Sequence, residues 1–76
     1  MKLVLRKGEP HIELCRLLKA LDLVASGAEG KAVVAEGRVR VDGEVETRKR
    51  RKIRPGMRVE FDGKTIYVVD ETDSAP

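Results

Sequence analysis

The chain has 76 residues, a single cysteine, no tryptophan and a formal net charge of +3. That length allows one domain with a small core, and no second subdomain to enclose a substrate-sized cleft. No run of eighteen apolar residues occurs, which excludes a membrane-spanning helix, and Cys15 alone can form neither an internal disulfide nor a self-contained zinc site.

Lys2 to Leu5 reads as a short edge strand, and Gly8-Glu9-Pro10 breaks the chain. Pro10 suits the first turn of a helix, which would put His11 on that turn's surface. Leu14, Leu17, Leu18 and Leu21 then recur at i, i+3, i+4 and i+7, one face of a helix, with Cys15 packed among them as a small apolar group. Ser26 and Glu29 have the spacing of a capping box, so a second helix is expected to start at Ser26. Ala28, Ala32 and Ala35 would give that helix a small-residue face, and Gly37 would end it.

After Gly37 the period becomes two. Val39 and Val41 point one way and Arg38 and Arg40 the other, and Asp42-Gly43 predicts a tight hairpin into a strand beginning at Val45. Pro55-Gly56 marks a turn. Val59 and Phe61 alternate with Arg58 and Glu60, Asp62-Gly63 predicts a second hairpin, and Thr65 to Val69 the last strand. Phe61 and Tyr67, the only aromatic residues, sit in strand patterns and are expected in the core. Residues 70–76 are polar and acidic and are expected to form a disordered tail on a single domain of residues 1–69. The expected fold class is α+β, two packed helices followed by a small, mostly antiparallel β-sheet.

Charge is concentrated. Between Arg38 and Arg58 stand nine basic residues against Asp42, Glu44 and Glu46, a surplus of +6, while residues 1–37 are close to balanced. A cationic stretch on a neutral scaffold is the footprint of a polyanion binder. Within it Arg48, Lys49, Arg50, Arg51 and Lys52 are consecutive, with no acidic residue from there to Met57 to relieve their repulsion. In a strand alternate members would diverge, so a loop is the geometry that lets them converge. The start of the second helix is another candidate. Its free N–H groups suit a phosphate, Gly27 and Gly30 would permit close approach of a nucleic-acid backbone, and Lys31 lies one turn from Gly27. Pattern alone leaves open whether the Arg38–Arg40 face meets the Lys31 surface.

The stretch Ser26 to Gly43, S-G-A-E-G-K-A-V-V-A-E-G-R-V-R-V-D-G, resembles the RNA-binding domain named after ribosomal protein S-four, also called the alpha-L motif. Its pattern is S-R-x-E-A-R, two apolar residues, then G-x-V-x-V-N-G. Ser26, Glu29, Val33, Val34, Gly37, Val39, Val41 and Gly43 match, with Lys31 for the arginine and Asp42 for the asparagine. The resemblance extends over roughly residues 10–69. It is greatest to the small free-standing bacterial YbcJ-like members, which share E-L-C, L-L-K, S-G-A, V-D-G and E-T-R-K-R. Gly27 stands where most members carry arginine, and Glu13 and Cys15 replace the Arg and Asp of a common R-L-D start to the first helix. Two usual cationic contacts are thus absent, which shifts phosphate contact to Lys31 and the later cluster.

The resemblance implies an RNA-binding protein without catalysis. Structured RNA is favoured, ribosomal RNA included, because two aromatics are too few to read single strands by stacking. The expected contacts are Ser26, Lys31, Arg38, Arg40, Arg48, Lys49, Arg50, Arg51 and Lys52. No cofactor, metal, membrane or small-molecule substrate is expected. With no secretory leader in residues 1–7, the expected location is the cytoplasm and the expected state a monomer. Two alternatives carry less of the sequence. G-A-E-G at 27–30 also fits the G-x-x-G loop of KH domains, but Glu29 would face phosphates there. A module docking on an acidic protein would use the same cations.

Overall fold

A computed structural model describes residues 1–6 and 8–71. Leu14, Leu17 and Leu18 line the buried side of a short helix, α1 (Leu14–Ala20), and Cys15 is buried beside them. Pro10 and His11 do not belong to its first turn. They precede a two-residue strand, β2 (Ile12–Glu13), and His11 is half-buried. The helix starts late because its acceptors come from far along the chain. No side chain caps it. Instead the Leu14 N–H donates to the Arg51 carbonyl at 2.9 Å and the Cys15 N–H to the Lys49 carbonyl at 3.1 Å. At its other end Asp22 turns left-handed (φ 58°). The Asp22 N–H reaches the Lys19 carbonyl and the Leu23 N–H the Leu18 carbonyl, a Schellman closure.

Helix α2 (Gly27–Ala35) begins as the sequence predicts, with the Ser26 hydroxyl accepting the Glu29 N–H at 3.1 Å. It ends in a second Schellman closure on Gly37 (φ 75°), whose N–H meets the Val34 carbonyl while the Arg38 N–H meets that of Val33. The expected alanine face is not the packed one. Ala28, Ala32 and Ala35 are exposed, and Gly30, Val33 and Val34 are buried. Gly30 is where the helices touch: a Cβ there would stand 3.0 Å from the Cys15 carbonyl oxygen.

The strands that follow are β3 (Val39–Val41), β4 (Glu44–Val45), β5 (Lys52–Ile53), β6 (Arg58–Phe61) and β7 (Lys64–Asp70); β1 is Lys2–Leu5. One sheet has the order β1-β7-β6-β3-β4, antiparallel except that β1 runs parallel to β7 along its edge. Both hairpins use Asp-Gly with positive φ at both residues, the I′ geometry that matches strand twist. Strand β7 continues through Asp70, and the Glu71 N–H donates to the Leu5 carbonyl, so the ladder runs past the expected end at Val69. The rest of the expected tail, residues 72–76, lies outside the described residues. A separate two-stranded ladder, β2 with β5, was not expected from sequence.

Val39, Val41, Val59, Phe61, Ile66, Val68 and Leu5 form one core with Leu14, Leu17, Leu18, Val24, Val33 and Val34. Since strand side chains alternate, the helices cover one face of the sheet and leave the other open. Arg40 stands on that open face, between buried Val39 and Val41. So does Tyr67, between buried Ile66 and Val68. It is 54% exposed and not in the core, unlike Phe61. No helix among the described residues is long and apolar enough to cross a membrane.

Candidate nucleic-acid interface

The run Arg48 to Lys52 is a loop over its first four residues, and Lys52 opens β5. Its position is fixed by backbone. The carbonyls of Lys49 and Arg51 cap α1, and Lys52 and Ile53 pair with Glu13 and Ile12. The basic loop is therefore pinned to the start of the helix that carries Arg16 in its first turn and Lys19 in its last.

This docking forms a groove of about 460 Å³ between α1, the start of α2 and the loop. Ile12, Cys15, Ala20 and Gly27 line it with small or apolar groups, and Arg16, Lys19, Lys31 and Arg50 supply its charge, against Glu13 alone. Arg50 also enters a second groove of similar size with Arg48, Arg51, Lys52 and Arg54. The two grooves share a wall at Arg50 and together carry eight cationic side chains. Gly27 borders open space in the first groove, since a Cβ there would meet nothing within 4 Å. Gly30 does not serve approach of a ligand, because its missing side chain is filled by α1.

The repulsion within the run is relieved from outside it. Glu46 accepts the Arg48 Nε–H and Nη2–H, each at 2.9 Å, and the Arg48 backbone N–H at 3.0 Å. Arg51 Nε lies 3.6 Å from the same carboxylate, with no hydrogen-bond partner of its own. The Arg48 side-chain hydrogen bond is the main reason the Glu46 carboxyl is held down at about 2. Partial burial opposes it, while the Arg48 N–H and the charges of Arg48 and Arg51 add to it. Arg50 Nε is 3.8 Å from Glu13, an exposed and weak pair. Among the described residues no carboxylate lies within ion-pair distance of Arg16, Lys19, Lys31, Lys49 or Lys52. These hold full charge for a polyanion.

The expected site residues thus divide. Lys31 and Arg50 share the first groove, and Arg48, Arg50, Arg51 and Lys52 the second. Lys49 lines neither, its carbonyl being the cap of Cys15. The Ser26 hydroxyl is engaged in capping α2. Arg38 holds its guanidinium 5.7 Å from the Phe61 ring centroid and 3.7 Å from Glu36. Arg40, on the open face of the sheet, is turned away from the helix layer that carries Lys31. Sequence reasoning missed Arg16 and Lys19. Their signal was present, three residues apart on the side of α1 opposite Leu14, Leu17 and Leu18.

Comparison with known proteins agrees with this architecture. The YbcJ protein of Escherichia coli (strain K12) is 55% identical over 60 residues, which cover 79% of this chain and 86% of that protein; YbcJ of Shigella flexneri matches to the same extent. The solution structure of E. coli YbcJ, described as revealing an alfaL motif involved in RNA-binding, matches with a TM-score of 0.68 at 50% identity, covering 90% of this chain and 85% of that one. A family model described as the S4 domain matches residues 5–69, from the last residue of β1 into β7, and the chain belongs to the S4 domain family.

Proposed function

We propose that this chain is a monomeric, non-catalytic module of the cytoplasm that binds structured RNA, ribosomal RNA in particular, through the two joined grooves. The observation that carries this reading is the convergence at Arg50: Arg16, Lys19 and Lys31 come from two helices, and Arg48, Arg51, Lys52 and Arg54 from the loop, β5 and the residue that follows β5. A continuous cationic track of this kind neutralises successive phosphates. The description of E. coli YbcJ as carrying a motif involved in RNA-binding supports the same ligand. Lys31 and Arg50 are the central contacts, with Arg16 and Lys19 flanking them. Binding is by shape and backbone, because the groove itself holds no aromatic ring.

Titration of an RNA hairpin against salt tests this. With about four to six phosphates neutralised, the log–log slope of affinity against salt is about −3 to −5 at roughly −0.7 to −0.9 per contact. Lys31→Ala and Arg50→Ala should each reduce its magnitude by about one. Arg40→Ala, on the opposite face, should leave the hairpin slope unchanged. Equal binding of hairpin RNA and duplex DNA, with no response to Lys31→Ala, would reject the groove as an RNA site.

A further inference from the structure

The face of the sheet turned away from the helices has a composition of its own. Registration across the strands sets Lys2 beside Tyr67 and Tyr67 opposite Arg58. The next open-face row runs Thr65, Glu60, Arg40 and Val45 across β7, β6, β3 and β4. Val4 pairs with Val69 on the other side of Tyr67. A ring 54% exposed on an inner strand of a sheet, flanked by partly exposed valines, loses apolar contact with nothing to compensate it. Cations still outnumber acids around it: Lys2, Arg40 and Arg58 stand with Asp42, whose Oδ1 accepts the Arg58 backbone N–H at 2.9 Å, and Glu60, whose one ion pair is the exposed 3.5 Å contact with Arg58. Such a pair is weak and is readily exchanged for a phosphate.

We propose that this open face is a second RNA contact, for a single strand, in which one base stacks on Tyr67 while Lys2, Arg40 and Arg58 hold the neighbouring phosphates. A base and an aromatic ring stack through their faces whatever the sequence, and flanking cations hold the backbone that joins successive bases. An apolar partner would be served by the valines but not by three cations, and an acidic partner would leave the ring unused. A single strand uses both. The face lies across the molecule from the Lys31 groove, so one copy of the chain can hold a folded RNA on its helix side and an unpaired segment on its sheet side.

Tyr67 is the only tyrosine and the chain has no tryptophan, so intrinsic fluorescence reports this ring alone. Hexauridylate, which stacks poorly on itself, should quench that emission, with a salt slope of about −1 to −2 for two or three phosphates. Tyr67→Thr keeps a strand-forming side chain and should weaken hexauridylate binding, measured by anisotropy of a labelled oligomer, on the order of tenfold. Tyr67→Phe should bind as the parent does. The double variant Lys2→Ala, Arg40→Ala tests the same face without touching the ring and should flatten the slope by one to two. None of these changes should move hairpin affinity by more than about twofold. The proposal is overturned if hexauridylate leaves the emission unchanged, or if Tyr67→Thr binds it as the parent does. It falls equally if sedimentation shows a dimer that Tyr67→Thr dissociates, since the face would then cover a second copy of this chain. Should hairpin binding keep its dependence on Lys31 in any of those cases, the groove reading stands without the second face. Quenching without Lys31-dependent hairpin binding would leave the sheet face as the RNA site and remove the groove.

Discussion

Glu46 shows how a single acid organises a cationic loop. Its side chain is 12% exposed, and its carboxylate holds Arg48 through three hydrogen bonds. Its pKa is lowered from the ordinary 4.5 to about 2, so the pairing stabilises the folded chain fully above about pH 4.5 and loses that contribution as pH falls towards 2. Glu46→Gln should therefore be less stable than the parent at neutral pH, by a margin that the exposure of Arg48 to screening solvent keeps small. The difference between the two thermal melts should close between pH 4.5 and 2. Other carboxylates titrate in this window in both proteins, so the difference is the quantity to follow. A gap that stays constant through the window would show that the carboxylate's charge is not what holds the loop. The chain order of charges does not reveal this arrangement. Glu46 lies just before the basic run, where it reads as a hairpin residue, and only the fold of 46–51 turns it back onto Arg48 and Arg51.

At the scale of elements, the two glycines of α2 have opposite roles. Both cost about 1 kcal/mol of helix propensity relative to alanine. At Gly27 an added methyl meets empty space, so Gly27→Ala should raise stability by up to about 1 kcal/mol, less to the extent that the first helical position frays. At Gly30 the same methyl would stand 3.0 Å from the Cys15 carbonyl oxygen, part of the α1 backbone and unable to swing aside. Separating the helices there strips contacts from Val33, Val34 and Leu17, which outweighs the propensity gain. Gly30→Ala should therefore destabilise by about 1–3 kcal/mol in a denaturant titration. If both variants shift the midpoint in the same direction, the helix crossing is not at Gly30. The legible elements were those with a period or a local cap: the Leu14–Leu18 face, the Ser26 cap, both Asp-Gly hairpins and Pro55-Gly56. The β2–β5 ladder was illegible because two-residue strands carry no period. The start of α1 was misread at Pro10 because its cap is supplied by carbonyls some 35 residues away. Lys31 and the basic run were legible as separate features. That they meet, and that Arg16 and Lys19 join them, depends on that same distant cap.

For the whole molecule the decisive fact is that one face of one sheet carries half of the core. A chain this short buries only about 60% of the surface its unfolded form exposes, and domains of this size have little stability to spare. Val41, nearly buried at 7% exposure, packs into that core from β3, while Arg40 one residue earlier projects from the open face. Val41→Asp would bring a carboxylate into the core edge beside a pocket lined by Arg48 and Arg51, where Asp42, Glu44 and Glu46 already supply three carboxylates for those two cations. The cost, several kcal/mol, is comparable with the entire stability of the domain, so the variant should be unfolded or molten at 25 °C. Arg40→Asp changes charge by two units but leaves the core alone. Its penalty is the like-charge approach to Glu60 directly across the β3–β6 pair, about 0.2–1 kcal/mol, and the melt should shift by only a few degrees. The pair of variants separates burial from charge, because both introduce the same side chain at adjacent positions of one strand. Circular dichroism melts of the two proteins would decide it. If they coincide, β3 does not alternate as described, and the separation of helix-side groove from open sheet face would fail with it.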